Sequence, residues 1–286
     1  MPQHWTALTV VADARLGDAI GSFLLDHGAP GLEIEDTAEG TRITAHYGAE
    51  PPVAALRAYC RHVADAFPGA APPRISATAV SDEAWAENWK DHFPPLAVGE
   101  RLYVHAPWVD RVPPDRLPIM LEPGMAFGTG HHASTRGCLE LLETALASRV
   151  GGRVLDIGTG SGILAIAAIK LGAASAWAVD VDAEACAIAE QNAIANGVGG
   201  AIRFGADLGA ATGPFEVVLA NLFAGQLIAY AAEIASRLAP GGVAIGAGIL
   251  AAEAESVRTA WRAAGLTGAR AWSDEGWVTL AFRRAP

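Results

Sequence analysis

The sequence predicts an α/β protein in which a small N-terminal α+β domain precedes a larger domain with a mostly parallel sheet. Two observations carry this prediction. From Val150 onward, apolar strand patterns alternate with helical ones, as parallel strands joined by crossover helices require. The first 80 residues instead follow the order β-α-β-β-α-β. A chain of 286 residues is long enough for each domain to have its own core.

The N-terminal pattern is typical of a ferredoxin-like domain. Its strands alternate apolar and polar residues, and its two helices each present an apolar face. The predicted strands cover 8–12, 31–36, 41–47 and 74–80, and the predicted helices cover 18–27 and 53–67. We therefore assign residues 1–80 to this domain.

A linker helix is predicted after it, within residues 81–95. Ser81 is a good N-cap residue and two acidic residues follow it, where the helix dipole favours negative charge. The helix ends before Pro94-Pro95, because proline cannot continue it. Trp85 and Trp89 lie on one face of this helix, which favours packing between domains over ligand binding.

The larger domain, residues 96–286, is predicted to end in an antiparallel hairpin. Prolines between 107 and 123 predict an irregular entry to it, and Gly197 predicts a helix end. The predicted strands are 153–156, 174–179, 202–204, 216–220, 243–247, 269–272 and 278–282, and the helices are 136–146, 162–171, 184–196, 226–238 and 251–264. In such a sheet, ligands bind beyond the carboxyl ends of the strands.

A glycine-rich loop is the strongest indication of a ligand. Asp156 is followed by Gly158, Gly160 and Gly162, so a strand runs into G-x-G-x-G and then a helix. Glycines allow backbone N–H groups to approach a ligand closely, and Asp180 at the end of the next strand can bind ribose hydroxyls. The dinucleotide motif has the spacing G-x-G-x-x-G instead. The pattern here resembles the first motif of S-adenosylmethionine (AdoMet)-dependent methyltransferases.

Two further segments point to the same edge of the sheet. Residues 122–135 contain three glycines around Phe127 and run into a helix, which Ser134 or Thr135 is expected to cap. Asn221 ends an apolar strand, and its amide can orient an amine toward a methyl donor. The pair His131-His132 does not favour a metal site, because adjacent side chains point apart.

Together these segments resemble the PrmA family, the methyltransferases of ribosomal protein L-11, over nearly the whole chain. The resemblance implies a class I methyltransferase with a Rossmann-like sheet, AdoMet as cofactor, and an N-terminal domain that holds the substrate. It implies methyl transfer to lysine ε-amines and the N-terminal α-amine of L-11. The cofactor contacts that it implies fall on Thr135, Gly158, Asp180 and Asn221. Asp156, Gly160, Gly162 and Phe127 complete the predicted cofactor site, and Asn221 is the predicted catalytic residue.

Composition agrees with a basic protein partner. The net charge is −11 and the pI about 5.1, which favours binding of a basic protein and disfavours nucleic acid. The odd number of cysteines, three, predicts reduced, buried thiols. Residues 1–12 do not resemble a signal peptide and no apolar stretch resembles a membrane span, so we expect a cytoplasmic protein. We expect a monomer because no sequence pattern requires a subunit interface. The alternatives are a methyltransferase with an RNA or small-molecule acceptor, a nicotinamide-dependent oxidoreductase and an inactive binding module.

Overall fold

The computed structural model describes residues 5–29, 31–37, 40–48, 50–65, 71–80, 94–122, 130 and 132–286. The chain divides into two compact units, Met1–His92 and Phe93–Pro286. The predicted linker helix and its tryptophans lie outside the described residues. None of the described helices has both the length and the apolar character needed to cross a membrane.

The first unit has the predicted ferredoxin-like fold. Its elements are β1 (Trp5–Ala12), α1 (Gly17–Asp26), β2 (Leu32–Thr37), β3 (Gly40–Tyr47), α2 (Val53–Asp65) and β4 (Arg74–Val80). The four strands form an antiparallel sheet in the order β2-β3-β1-β4. Leu8 and Val10 of β1 and Ile43 of β3 are fully buried against Ile20 and Leu24 of α1, because alternate side chains of a strand point to the same face.

The second unit has the predicted mostly parallel sheet with helices on both faces. Its elements are β5 (Leu96–Val98), β6 (Leu102–His105), β7 (Leu117–Met120), α3 (Ala133–Leu146), β8 (Arg153–Ile157), α4 (Ile163–Lys170), β9 (Ser175–Val179), α5 (Ala183–Ala195), β10 (Ile202–Gly205), β11 (Phe215–Asn221), α6 (Ala224–Ala229), α7 (Ala231–Arg237), β12 (Leu238–Leu250), α8 (Ala254–Ala263), β13 (Leu266–Asp274) and β14 (Trp277–Arg284). Seven strands form one sheet in the order β10-β9-β8-β11-β12-β14-β13, and the final hairpin β13–β14 is antiparallel to its neighbours as predicted.

Two separate apolar cores lie on the two faces of this sheet. Val154 of β8 belongs to the core that includes α3 and α4, whereas its neighbour Leu155 belongs to the core that includes Trp261 of α8. A strand that is covered on both faces has apolar residues at consecutive positions. Burying one such side chain fully contributes about 1.5–3 kcal/mol to folding. The two cores hold the carboxyl ends of β8, β9 and β11 side by side.

The prediction of irregular structure before residue 123 is wrong in part. The strands β5, β6 and β7 form a small sheet of their own, with β6 at its centre. Pro118 lies within β7, opposite Tyr103. Because β7 is an edge strand, one side of it needs no ladder hydrogen bonds, and proline is tolerated there.

Two other element boundaries differ from the prediction. The single helix expected at 226–238 is two helices, which meet at Tyr230. The strand expected at 243–247 begins earlier, at Leu238, which pairs with Phe215 before a register shift. The segment Pro240-Gly241-Gly242, expected between the helix and the strand, therefore lies within β12.

Candidate functional site

The glycine loop after β8 has the backbone conformation that its sequence predicts. Gly158, Gly160 and Gly162 have φ values of +74°, +52° and +82°, in the left-handed region where a side chain is strained. The N–H of Gly158 donates to the carbonyl of Val179 at 2.8 Å, which holds the start of the loop against the end of β9. Gly162 is the N-cap of α4. The loop is thus fixed between two neighbouring strands and a helix.

Asp180 closes this loop from the end of β9. Its Oδ2 accepts the N–H of Gly160 at 2.9 Å, and its Oδ1 accepts the N–H of Asp182 at 3.1 Å. A carboxylate has about four acceptor positions, so capacity remains for ligand hydroxyls. Asp182, in contrast, caps α5 by accepting the N–H of Glu184 at 2.8 Å.

Asp156 lies completely buried at the base of the loop. The hydroxyl of Thr159 donates to its Oδ2 at 2.7 Å, while its Oδ1 has no hydrogen-bond partner among the described residues. Desolvation raises the pKa of Asp156 to about 7, although the Thr159 hydrogen bond opposes this effect. Asp156 thus holds the loop through Thr159, and one of its buried oxygen atoms remains available.

The helix after the second glycine segment begins earlier than predicted, and the expected cap is wrong. Helix α3 begins at Ala133, not at Arg136, and its N-cap is His132 rather than Ser134 or Thr135. The Nδ1 atom of His132 accepts the N–H of Ser134 at 3.3 Å and lies 2.7 Å from its hydroxyl. Burial and then the Arg136 guanidinium lower the pKa of His132, which favours the neutral ring that this cap requires.

His132 has no metal-site geometry within the described part of the chain. No group of three His, Cys, Asp or Glu side chains there is arranged to bind a metal. His131 itself lies outside the described residues. Of the cysteines, Cys60 and Cys138 are buried as predicted, whereas Cys186 is only partly buried, and all three are free thiols.

Asn221 and Thr135 lie together at the carboxyl end of β11. The Nδ2 atom of Asn221 donates to Oγ1 of the fully buried Thr135 at 3.3 Å. The next residue, Leu222, lies against the glycine loop, since a Cβ atom built on Gly158 would be 2.5 Å from its Cδ2. The glycine loop, Asn221 and Thr135 therefore lie at one edge of the sheet.

Of the phenylalanines in these segments, Phe127 was predicted to belong to the cofactor site, whereas Phe223 follows Asn221 by two residues. Phe127 lies outside the described residues. Phe223 is 75% exposed and begins α6, where Oε1 of Gln226 accepts its N–H at 3.2 Å. An exposed aromatic ring two residues beyond Asn221 is available to a bound partner.

The hairpin β13–β14 supports the first turn of α3, which the sequence did not indicate. Arg136 forms ion pairs with Asp274 at 2.5 Å and with Glu275 at 3.4 Å, at the tip of the hairpin. The ring of Trp277 contacts that of His132 edge-on, with 4.7 Å between centroids. These contacts join residues far apart in sequence, and no local pattern predicts them.

The same hairpin approaches α3 most closely at Gly137. A Cβ atom at this position would lie 2.3 Å from Oγ1 of Thr279 and 2.5 Å from a ring carbon of Trp272. The Nε1 atom of Trp272 donates to Oε2 of Glu140 at 3.0 Å, one turn farther along the helix. Gly137 therefore permits the close packing of α3 against the hairpin.

These residues fit AdoMet as a ligand. Asp180 offers acceptors for a ribose diol, and the glycine loop offers backbone close to a ligand. The buried, unpartnered oxygen of Asp156 suits the ammonium group of a methionine moiety, directly or through a water molecule. Asn221 and Thr135 supply uncharged polar groups beside the loop.

This chain is similar to known proteins over nearly its whole length. The family model described as "Ribosomal protein L11 methyltransferase (PrmA)" matches residues 4–285. Similar proteins named ribosomal protein L11 methyltransferase include one from Geobacter metallireducens, 36% identical over 99% of each chain. Another, from Pelotomaculum thermopropionicum, is 45% identical over 73% of this chain and 68% of that protein.

A solved structure supports the same assignment. The crystal structure of a ribosomal protein L11 methylase from Lactobacillus delbrueckii subsp. bulgaricus is 30% identical, with a TM-score of 0.60 over 67% of this chain and 98% of that one. The predicted fold class and the predicted class of enzyme are thereby confirmed. This chain belongs to the ribosomal protein L11 methyltransferase (PrmA) family.

Proposed function

We propose that this protein transfers methyl groups from AdoMet to lysine ε-amines and the N-terminal α-amine of ribosomal protein L11. The observation that carries the proposal is the meeting of the glycine loop, Asp180, Thr135 and Asn221 at one sheet edge in a chain of this family. The relatives named above are called methyltransferases of this ribosomal protein. AdoMet is the methyl donor that the family implies.

The residues of the loop and the adjacent strand would hold the cofactor. Asp180 would accept hydrogen bonds from the ribose hydroxyls, and Gly158, Gly160 and Gly162 would leave room for the methionine end. Asp156 would hold the loop in shape through Thr159. When bound, AdoMet supplies an electrophilic methyl group on a sulfonium sulfur.

Asn221 would orient the acceptor amine. Its Nδ2 is engaged by Thr135, so its Oδ1 is left to accept a hydrogen bond from an amine N–H. This contact would aim the nitrogen lone pair at the methyl group, and such alignment can lower a reaction barrier by several kcal/mol. An amide cannot take up the proton of an ammonium group. The amine must therefore reach Asn221 neutral, although free lysine has a pKa of about 10.4, and desolvation would favour that form.

The N-terminal unit would hold the protein substrate. We assign recognition of L11 to residues 1–80, a linker to 81–95 and methyl transfer to 96–286, and the division of the chain at His92 and Phe93 supports this assignment. The net charge of −11 suits a basic substrate. A monomeric state and a cytoplasmic location remain proposals, which light scattering and cell fractionation would test.

Mass spectrometry of L11 tests the proposed reaction. We expect incubation of unmethylated L11 with AdoMet and this protein to add whole methyl increments, and peptide mapping to place them on amines. The Asn221→Ala variant, checked for AdoMet binding, is the control. Intact cofactor binding without any increment on L11, but with methylated RNA in a parallel reaction, would favour the alternative acceptor.

A thermal-shift experiment tests the cofactor separately. AdoMet and its demethylated product should both raise the melting temperature, whereas NAD should not. Stabilisation by NAD alone would contradict the proposed methyl donor.

A further inference from the structure

A basic groove lies between the second half of α3 and the β13–β14 hairpin. Its volume is about 160 Å³, and three of its lining residues are arginines: Arg149, Arg270 and Arg283. The other lining residues are apolar or small, or are hydroxyl-bearing, and none is acidic: Leu141, Thr144, Ala145, Val243, Gly268 and Ala281. Such a concentration of positive charge stands out in a chain with a net charge of −11.

The strand register brings two of these arginines to one face of the hairpin. Arg270 lies opposite Ala281, and Arg283 is two residues beyond Ala281 on β14. Alternate residues of a strand point to the same face, so all three side chains face α3. Both arginines are exposed, and neither side chain forms a hydrogen bond or an ion pair within the described parts of the chain.

Arg149 forms a fixed base for the groove. Its Nη1 donates to the carbonyl of Ala145 at 2.9 Å, and its Nη2 donates to that of Gly241 at 3.0 Å. A guanidinium has five N–H donors, so further donors remain after these bonds. Burial and then the charge of Arg283 lower the pKa of Arg149, so the two cations repel each other.

Two acidic side chains outside the lining, Glu216 and Glu140, form hydrogen bonds with other groups. Glu216, which acts on Arg149 electrostatically, accepts the N–H of Arg153 at 2.6 Å. Glu140 accepts the Trp272 indole N–H at 3.0 Å. The described residues that line the groove thus include no counter-ion for Arg270 and Arg283, while Glu216, outside the lining, partly offsets the charge of Arg149.

We propose that this groove binds a phosphate group through Arg149, Arg270 and Arg283. Guanidinium groups match phosphate oxygens with pairs of N–H donors, and a phosphate group offers several acceptor oxygens and up to two negative charges. A carboxylate offers two acceptor oxygens and one negative charge, so it would satisfy fewer of the N–H donors and positive charges of three guanidinium groups. The groove lies beside Val243 of β12, four residues before Ala247, with which Asn221 pairs, and none of the groove's lining residues belongs to the proposed methyl-transfer site. The proposal therefore does not depend on the proposed methyl transfer.

Arginine side-chain NMR tests the proposal on the full chain. Titration with inorganic phosphate should shift the Nε–Hε resonances of the three arginines with saturation, whereas chloride at equal ionic strength should not. The double variant Arg270→Gln with Arg283→Gln should weaken phosphate binding at least about tenfold, since hydrogen bonds to charged groups contribute strongly. The matched control is Arg203→Gln, because this exposed arginine lies over Trp177 at the other end of the sheet.

Oligouridine RNA then distinguishes the source of the phosphate. Competition by the RNA for the same resonances would identify a nucleic-acid backbone, whereas saturation by phosphate without competition would identify free phosphate or a small ester. AdoMet affinity and melting temperature should be unchanged in the variants. Phosphate shifts that do not saturate, or that persist unchanged in the double variant, would overturn the proposal.

Discussion

The side-chain amide of Asn221 donates to Oγ1 of Thr135 at 3.3 Å, which joins the end of β11 to the first turn of α3. This hydrogen bond sets which atom of the amide is left for a substrate. We expect Thr135→Val to slow methyl transfer about tenfold, because the amide loses its partner and can rotate. Thr135→Ser should keep most of the rate. The measurement is single-turnover transfer to L11 with saturating AdoMet, and equal rates in the two variants would contradict this role.

Asp180 and Asn221 should separate cofactor binding from methyl transfer. Asp180→Ala should weaken AdoMet binding about tenfold or more, because hydrogen bonds to a charged acceptor are lost. Asn221→Ala should chiefly slow transfer. Calorimetry gives the affinities, and Asp182→Ala is the control, since it removes only the cap of α5. Equal loss of affinity in the Asp180 and Asn221 variants would remove the proposed role of Asn221.

Gly158 should tolerate no side chain, for two separate reasons. Its φ of +74° strains any other residue, and a Cβ atom would lie 2.5 Å from Leu222. Gly151→Ala isolates the first reason, because Gly151 has a φ of +82° and a Cβ atom added there would meet nothing within 4 Å. We expect about 1–2 kcal/mol of destabilisation for Gly151→Ala and more for Gly158→Ala. Urea unfolding measures the free energy of unfolding of both variants. An equal decrease in the two variants would exclude a contribution from the Leu222 contact.

Two helical glycines should respond to alanine with opposite signs. Gly137→Ala would press on Thr279 and Trp272, and overpacking of this kind costs about 1–3 kcal/mol. A Cβ atom added at Gly225 in α6 would meet nothing within 4 Å, so Gly225→Ala should stabilise the protein by about 0.5 kcal/mol. The melting temperatures of the two variants, compared with that of the wild-type protein, measure both effects. A neutral Gly137→Ala substitution would show that the hairpin can move away from α3.

Asp156 should make the stability of the ligand-free protein depend on pH. Burial raises the pKa of Asp156 to about 7, above its value of about 3.9 in an unfolded chain, so the folded state holds the proton more tightly. The free energy of unfolding should therefore fall as pH rises from about 4 to 7, by up to about 4 kcal/mol from this group. Asp156→Asn should flatten this dependence. Denaturation at several pH values measures this dependence. If the free energy of unfolding changed with pH equally in the wild-type protein and in Asp156→Asn, the predicted role of Asp156 would be contradicted.

The cofactor loop was predictable because its determinants are local. The predicted boundaries of β8, α4 and β9 differ from the observed ones by one residue, since glycines with positive φ and apolar runs mark them. Helix α3 was misplaced because its cap is the unusual residue His132. The break at Tyr230 has neither proline nor glycine to mark it.

The long-range contacts that hold the site in place could not be predicted from local sequence patterns. Arg136 and Asp274 are 138 residues apart, and neither residue type indicates its partner. Strand β7 was missed because Pro118 argues against a strand until the edge position is known. The glycine loop, Asp180 and Asn221 could be singled out as candidates from the sequence, whereas the residues that hold them in place required the fold.

The contact between Arg136 and Asp274 also bears on the order of folding. It closes a loop of 138 residues, and contacts between residues so distant in sequence form slowly because much chain entropy must be lost first. Strands β8, β9 and β11 can pair before the hairpin packs against α3. We therefore expect refolding to pair these three strands before it restores AdoMet binding, which should return only when the hairpin packs against α3.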